Sequence, residues 1–123
     1  MALKSVNRIE IIGYVGGEVK EIVGTQGNRG IAFSVATDLW RKDPASPDGK
    51  VIETTWHDIT AWESSSTCEL ALIHSGVPVH VIGRIRKTPY KREDGSTIVY
   101  SDVVASSMHV IVMGDNTPKK EIY

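Results

Sequence analysis

Val51–Trp62 reads VIETTWHDITAW, and its alternation decides the architecture. In a strand, successive side chains point to opposite faces. His57, Ile59 and Ala61 then share one face, while Thr54, Trp56, Asp58, Thr60 and Trp62 share the other. The preceding run Ile31–Trp40 (IAFSVATDLW) behaves the same way: Ile31, Phe33, Val35 and Leu39 form an apolar row, and Ala32, Ser34, Ala36, Asp38 and Trp40 form a small, polar row ending in an indole. Large flat aromatics interleaved with Thr, Ser and Asp suit a surface that stacks planar ligands such as nucleic-acid bases. The competing reading is that the three tryptophans cover the second face of a sheet or line a subunit contact.

Around that pair the chain reads as five strand-like runs and one short helix, with no internal repeat. The first run is Val6–Val15, resuming through Glu18–Val23; Gly13, Gly16 and Gly17 interrupt it, as a bulge or sharp bend requires. Gly24–Gly30 (GTQGNRG) and Arg41–Lys50 (RKDPASPDGK) have loop composition. The segment Ser64–Ser75 (SSSTCELALIHS) predicts an α-helix, with Ser66 and Glu69 as a capping box and Gly76 just past its end; Leu70, Ile73 and His74, or Cys68 and Leu72, would supply its buried stripe. The fourth run is Val77–Ile85, and Lys87–Thr97 (KTPYKREDGST) is a hairpin connection marked by Asp94-Gly95. The fifth is Ile98–Met113, bending at Ala105–Ser107. This order predicts a mainly β protein: a five-stranded Greek-key OB-fold barrel with one short α-helix between strands 3 and 4. It occupies residues 1–113 as a single domain, leaving 114–123 as a short, polar, flexible tail.

A chain of 123 residues is one domain by length. Fourteen Lys and Arg against fifteen Asp and Glu give a net charge of −1, so no global basic field announces a polyanion. The distribution is uneven, however. Arg84, Arg86, Lys87, Lys91 and Arg92 fall within nine residues that contain no acid, either a phosphate-binding run or a solvated loop. The single cysteine, Cys68, allows no intrachain disulfide, which fits a reducing compartment. Neither a signal-peptide stretch nor a run long enough to span a bilayer is present. The expected location is the bacterial cytoplasm, associated with the nucleoid, and no membrane partner is expected.

With these residues in order, the chain resembles the bacterial-type single-stranded DNA-binding proteins over Ser5 to Val112. The resemblance rests on Val6-Asn7 with Ile11-Ile12-Gly13, Phe33-Ser34-Val35-Ala36-Thr37 followed by Trp40, Thr55-Trp56-His57, Ser75-Gly76, Val79 through Arg86 (VHVIGRIR) and Asp94-Gly95. It implies base stacking on Trp40, Trp56, Trp62 and Tyr90; Trp62 stands where the family often has Phe, and Tyr90 where it often has Trp. It also implies phosphate contacts to Arg84, Arg86, Lys87, Lys91 and Arg92, with Arg8, Arg29, Arg41 and Lys50 as further candidates. His57, Val6 and Asn7 would lie at a subunit interface, and the working unit would be a homotetramer acting in DNA replication, recombination or repair. Typical members end in a long tail with an acidic tip that recruits replication proteins. This sequence ends Lys119-Lys120-Glu121-Ile122-Tyr123, so recruitment of replication or recombination proteins is not expected to use that tip. Glu63 also replaces the small residue usual after the strand-three aromatic.

Two other function classes compete. A primosome-type accessory OB protein would act mainly as a protein-interaction module with weak DNA binding, and such relatives lack the central helix. A nuclease would need carboxylates clustered near a metal, but the acids here are scattered, with only Asp38 and Asp58 on the tryptophan face. His57, His74, His80 and His109 show no zinc-ligand spacing with Cys68. The sequence is therefore read as a DNA-binding protein, not an enzyme, with no cofactor and no metal.

Overall fold

Alternating apolar side chains coil five strands into one closed barrel, in the order β1-β2-β3-β5-β4 around its wall. The computed structural model describes residues 2–113, so the expected tail at 114–123 lies outside the described residues. The strands are β1 Ile9–Val23, β2 Arg29–Lys42, β3 Lys50–Trp62, β4 Pro78–Lys91 and β5 Thr97–Val110. Neighbours are antiparallel except β3 and β5, which run parallel and pair only at Ile59 with Val103 and Thr60 with Val104. This is the OB-type barrel read from the sequence. Its core holds the inward-facing residues of every strand, among them Val15, Val35, Ile59, Val79, Val81 and Met108, all essentially inaccessible to solvent.

Closing so small a barrel needs bends, and two fall where the sequence interrupts its alternation. β1 slips register against β2 between Gly16 and Lys20, with Gly17 at φ 70°, a conformation that favours glycine. β4 and β5 slip between Ile82 and Gly83, within the region where Ala105–Ser107 was expected to bend.

Two expected loops are shorter than their composition suggests. β2 and β3 stay paired out to Lys42 and Lys50, and β4 and β5 out to Lys91 and Thr97. Only residues 43–49 and 92–96 are left to turn. Composition around the turns concealed this, because Thr88, Tyr90, Ile98, Val99 and Tyr100 favour extended pairing more strongly than the neighbouring charges oppose it. The outer halves of both hairpins leave the barrel as two-stranded arms. β3 and β5 each begin at an arm's turn and run parallel, so both arms project from the same end.

The expected α-helix over Ser64–Ser75 does not form. A single 3-10 turn, Leu70–Leu72, takes its place, and Glu69 precedes it without any side-chain cap, so the capping box is absent. The backbone of this segment is committed elsewhere. Cys68 N–H donates to Met108 C=O, Met108 N–H donates to Ser66 C=O, and Thr67 bridges Met108. A segment tied to β5 in this way cannot turn its N–H groups to carbonyls four residues back. Leu70 and Ile73 nevertheless bury their side chains in the core, closing the barrel end opposite the arms.

If these two side chains are the plug's anchors, Ile73→Ala should cost about 3 kcal/mol in urea unfolding, the usual loss for truncating a buried aliphatic. Leu72→Ala, at a half-exposed position, should change stability by less than about 0.5 kcal/mol.

Candidate nucleic-acid interface

On the outer face of β2 and β3 the register sets Trp40 opposite Ile52, Trp56 opposite Ala36 and Trp62 opposite Gly30. Trp40 and Trp56 are 60% and 59% exposed, and Trp62 is half-buried. Glycines make room for two of these rings. A Cβ on Gly16 would lie 2.5 Å from the Trp56 indole, and one on Gly30 would lie 2.5 Å from that of Trp62. Each indole therefore rests on bare backbone, and a ring already held in place loses less freedom when a base stacks on it. The two acids on this face are tethered to hydroxyls directly across the hairpin. Thr54 Oγ1 donates to Asp38 at 2.7 Å, and Ser34 Oγ donates to Asp58 at 3.2 Å.

On the second arm, alternation puts Arg84, Arg86, Thr88 and Tyr90 on the outer face, opposite Val104, Asp102, Tyr100 and Ile98. Tyr90 meets Tyr100 edge-on, with ring centroids 6.2 Å apart and planes at 63°. Below them, Arg86 donates two hydrogen bonds to Asp102, Nε to Oδ1 at 3.0 Å and Nη2 to Oδ2 at 2.7 Å. Thr60 Oγ1 adds a third, at 2.7 Å. Burial pushes the Asp102 carboxyl up, but the hydrogen bonds from Arg86 and Thr60 and the charges of Arg86 and Arg84 outweigh it and hold the group below the ordinary carboxylate value. The hydrogen bond to Asp102 in turn raises the Arg86 guanidinium. Arg86, expected on phosphate, is thus engaged within the protein.

The remaining cations divide by face. Lys87 and Lys91 alternate away from Tyr90, onto the side of Ile85 and Pro89, and both are exposed. Arg92 lies exposed in the turn. Arg8 and Arg84, with Asn7 and Ser106, line a surface pocket of about 330 Å³. Arg29 sits 3.9 Å from Glu63. Arg41 points to the face opposite Trp40 and is bonded to Glu53. Lys50 is on the tryptophan face, paired across the strands with Lys42. Lys42 and Tyr100 were missed by the sequence reading. Counting by twos from Trp40 finds the first, and centring the hairpin on Asp94 finds the second.

The three residues expected at a subunit interface have intrachain surroundings in part. His57 is half-buried at the base of the first arm, its Nε2 2.9 Å from Thr37 Oγ1. Val6 is exposed. Asn7 Nδ2 donates to Ile85 C=O at 2.8 Å, and Ile85 N–H donates to Asn7 Oδ1 at 3.0 Å, so its amide imitates one more strand pair between β1 and β4. Among the described residues, no three His, Cys, Asp or Glu side chains gather as a metal would need.

Comparison with known proteins places this geometry. The model of the single-strand binding protein family matches residues 6–111. No curated protein matches the chain in sequence. Similar solved structures include a Plasmodium falciparum SSB in complex with ssDNA (22% identity, 91% of this chain and 100% of that one, TM-score 0.73). Another is the mitochondrial single-stranded DNA binding protein of S. cerevisiae (20% identity, 90% and 100% coverage, TM-score 0.60). A third is a deletion mutant of the Thermus aquaticus single-stranded DNA binding protein (14% identity, 87% and 51% coverage, TM-score 0.66). At these identities the structural likeness speaks for the shared fold.

Two outcomes test the site's construction. Gly16→Ala meets only the far edge of the Trp56 ring, so it should leave the unfolding midpoint nearly unchanged while the Trp56 emission shifts as the indole tilts off the sheet. Asp102→Asn should cost about 1–2 kcal/mol at neutral pH, a charged hydrogen bond discounted for solvent access to Arg86. A carboxylate whose folded pKa is lowered stabilises the fold above its unfolded pKa, and that stability is lost as pH falls through the folded value. The wild type should therefore lose stability in acid more steeply than Asp102→Asn, in urea titrations from neutral pH down to about pH 3.

Proposed function

The chain belongs to the single-strand binding protein family and binds single-stranded DNA, and we propose that it does so by stacking unpaired bases on Trp40, Trp56, Trp62 and Tyr90. The observation that carries this reading is the pair of exposed indoles, Trp40 and Trp56, beside Trp62 on one outer face, where glycines leave Trp56 and Trp62 room to lie against the sheet. Every base offers a π face, so little sequence preference follows. Phosphates are assigned to those candidate cations that have no acidic partner among the described residues, Arg84, Lys87, Lys91, Arg92, Arg8 and Lys50, joined by Lys42 on the tryptophan face. Arg29, Arg41 and Arg86 serve the protein first, because each already faces a carboxylate. Such a protein protects exposed single strands during replication, recombination or repair, in the cytoplasm beside the nucleoid, and it acts as a binding protein and not as an enzyme.

We assign a homotetramer as the working unit. Among the described residues, Ile9–Gly13 pair with β4 alone, leaving one edge of β1 open. Ile12 and Tyr14 on its outer face are half-exposed, and Val6 just before it is exposed. An open edge next to apolar surface is a place where a second copy pairs by symmetry. The accessory-module reading is not favoured. The helix meant to separate the two readings is absent, and the family match decides instead.

Titration with oligothymidylate should quench tryptophan fluorescence strongly at low salt, with duplex DNA giving no such signal. Affinity should fall by about 0.7 log units per phosphate contact for each tenfold rise in salt. Trp40→Ala, Trp56→Ala and Trp62→Ala should each weaken binding by about 1–3 kcal/mol. A wild type that shows no quenching at low salt would sink the stacking mechanism. Sedimentation equilibrium should return four times the chain mass of 13.5 kDa; a monomer at micromolar concentration would exclude the tetramer.

A further inference from the structure

We propose that Tyr100 is a fifth base-binding residue, forming with Tyr90 a two-ring corner on the second arm that holds one base of the bound strand. The inference rests on the single-strand-binding reading and extends it to a residue that reading does not include.

Three observations carry it. The first is the ring geometry. Tyr90 and Tyr100 stand at 63° with centroids 6.2 Å apart, and they are 57% and 58% exposed. Rings set edge-to-face leave the edge-giving ring with both faces open and the other with one. A base stacked on either ring then meets its neighbour at a steep angle, which confines the base on two sides instead of one.

The second is the face. Val99 and Pro89 are also exposed on this arm, so exposure alone says nothing. Tyr100, however, lies opposite Thr88 on the outer face, in line with Arg84 and Tyr90. Neither tyrosine contributes to the hydrophobic core, so the rings are not needed to hold the barrel together.

The third is continuity with the tryptophans. The parallel register Thr60–Val104 sets Trp56 and Tyr100 level with each other, each four residues before the junction. Between them the strands part, and a cleft of about 180 Å³ opens beside Trp56, lined also by His57, Asp58, Ile85, Ser101 and Asp102, with Tyr100 one residue beyond its rim. Asp102, the acid nearest Tyr100 on that face, is matched by Arg86. A polyanion passing from Trp56 to the tyrosine corner therefore does not cross an unmatched carboxylate at Asp102.

The test compares wild type with Tyr100→Phe, Tyr100→Leu and Tyr100→Ala in oligothymidylate titrations read by tryptophan quenching. A second readout is photocrosslinking to an oligonucleotide carrying 5-iodouracil, with the crosslinked residue located by mass spectrometry. Tyr100→Phe should bind as wild type does, because the ring and not the hydroxyl is used. Tyr100→Ala and Tyr100→Leu should both weaken binding about tenfold at an unchanged unfolding midpoint, and the crosslink should map to Tyr100. If Tyr100→Leu binds as tightly as wild type, Tyr100 merely packs against Tyr90 and the proposal is overturned; equal binding by Tyr100→Ala overturns it as well. In either case wild-type quenching would persist, so the broader function would stand. Loss of wild-type quenching would overturn both.

Discussion

The barrel closes across a seam of two backbone pairs, Ile59 with Val103 and Thr60 with Val104, and the side-chain bridge over that seam is Arg86–Asp102–Thr60. Residues on three strands, β4, β5 and β3, meet on one carboxylate. Parallel pairing so short is a weak closure by itself, and a charge-assisted bridge whose every partner is hydrogen-bonded adds both strength and direction. The opening between Trp56 and Ser101 begins just below it.

A net charge of −1 leaves a polyanionic ligand to be met by the local distribution of charge on the outer face. Of its acids, Asp102 is paired with an arginine, while Asp38 and Asp58 keep their charge and are only oriented by the hydroxyls of Thr54 and Ser34. Two of its indoles, Trp56 and Trp62, lie directly against the backbone at Gly16 and Gly30. In the proposed mode stacking is the attraction this face offers, with cations at the margins of the arms and in the pocket lined by Arg8 and Arg84. A site built in this way discriminates by strandedness, because a duplex keeps its base faces covered.

Much of this was legible in the alternation of Ile31–Trp40 and Val51–Trp62. Period two assigns the tryptophans to one face and Phe33, Val35 and Ile59 to the other, and both assignments hold in the barrel. The helix over Ser64–Ser75 is where local pattern misled. Its serines, glutamate and spaced leucines satisfy helix rules, yet backbone bonds to Met108 win because they complete the barrel's end. The arms misled in the opposite direction, since charge-rich hairpin ends read as loops although the strands stay paired almost to the turn.

What the sequence by itself determined is therefore the barrel, its oily interior and the aromatic character of its outer face. Those depend on near-neighbour periodicity, which is written in consecutive residues. Tertiary structure alone decided which cations remain free. Arg86 and Arg41 look equivalent to Arg84 and Lys50 in the sequence, but their carboxylate partners lie on other strands, sixteen and twelve residues away. It likewise decided that Tyr90 and Tyr100 form a corner and that Gly16 lies under Trp56. Each of these contacts joins residues from different strands, so only the register of the folded sheet could bring them together.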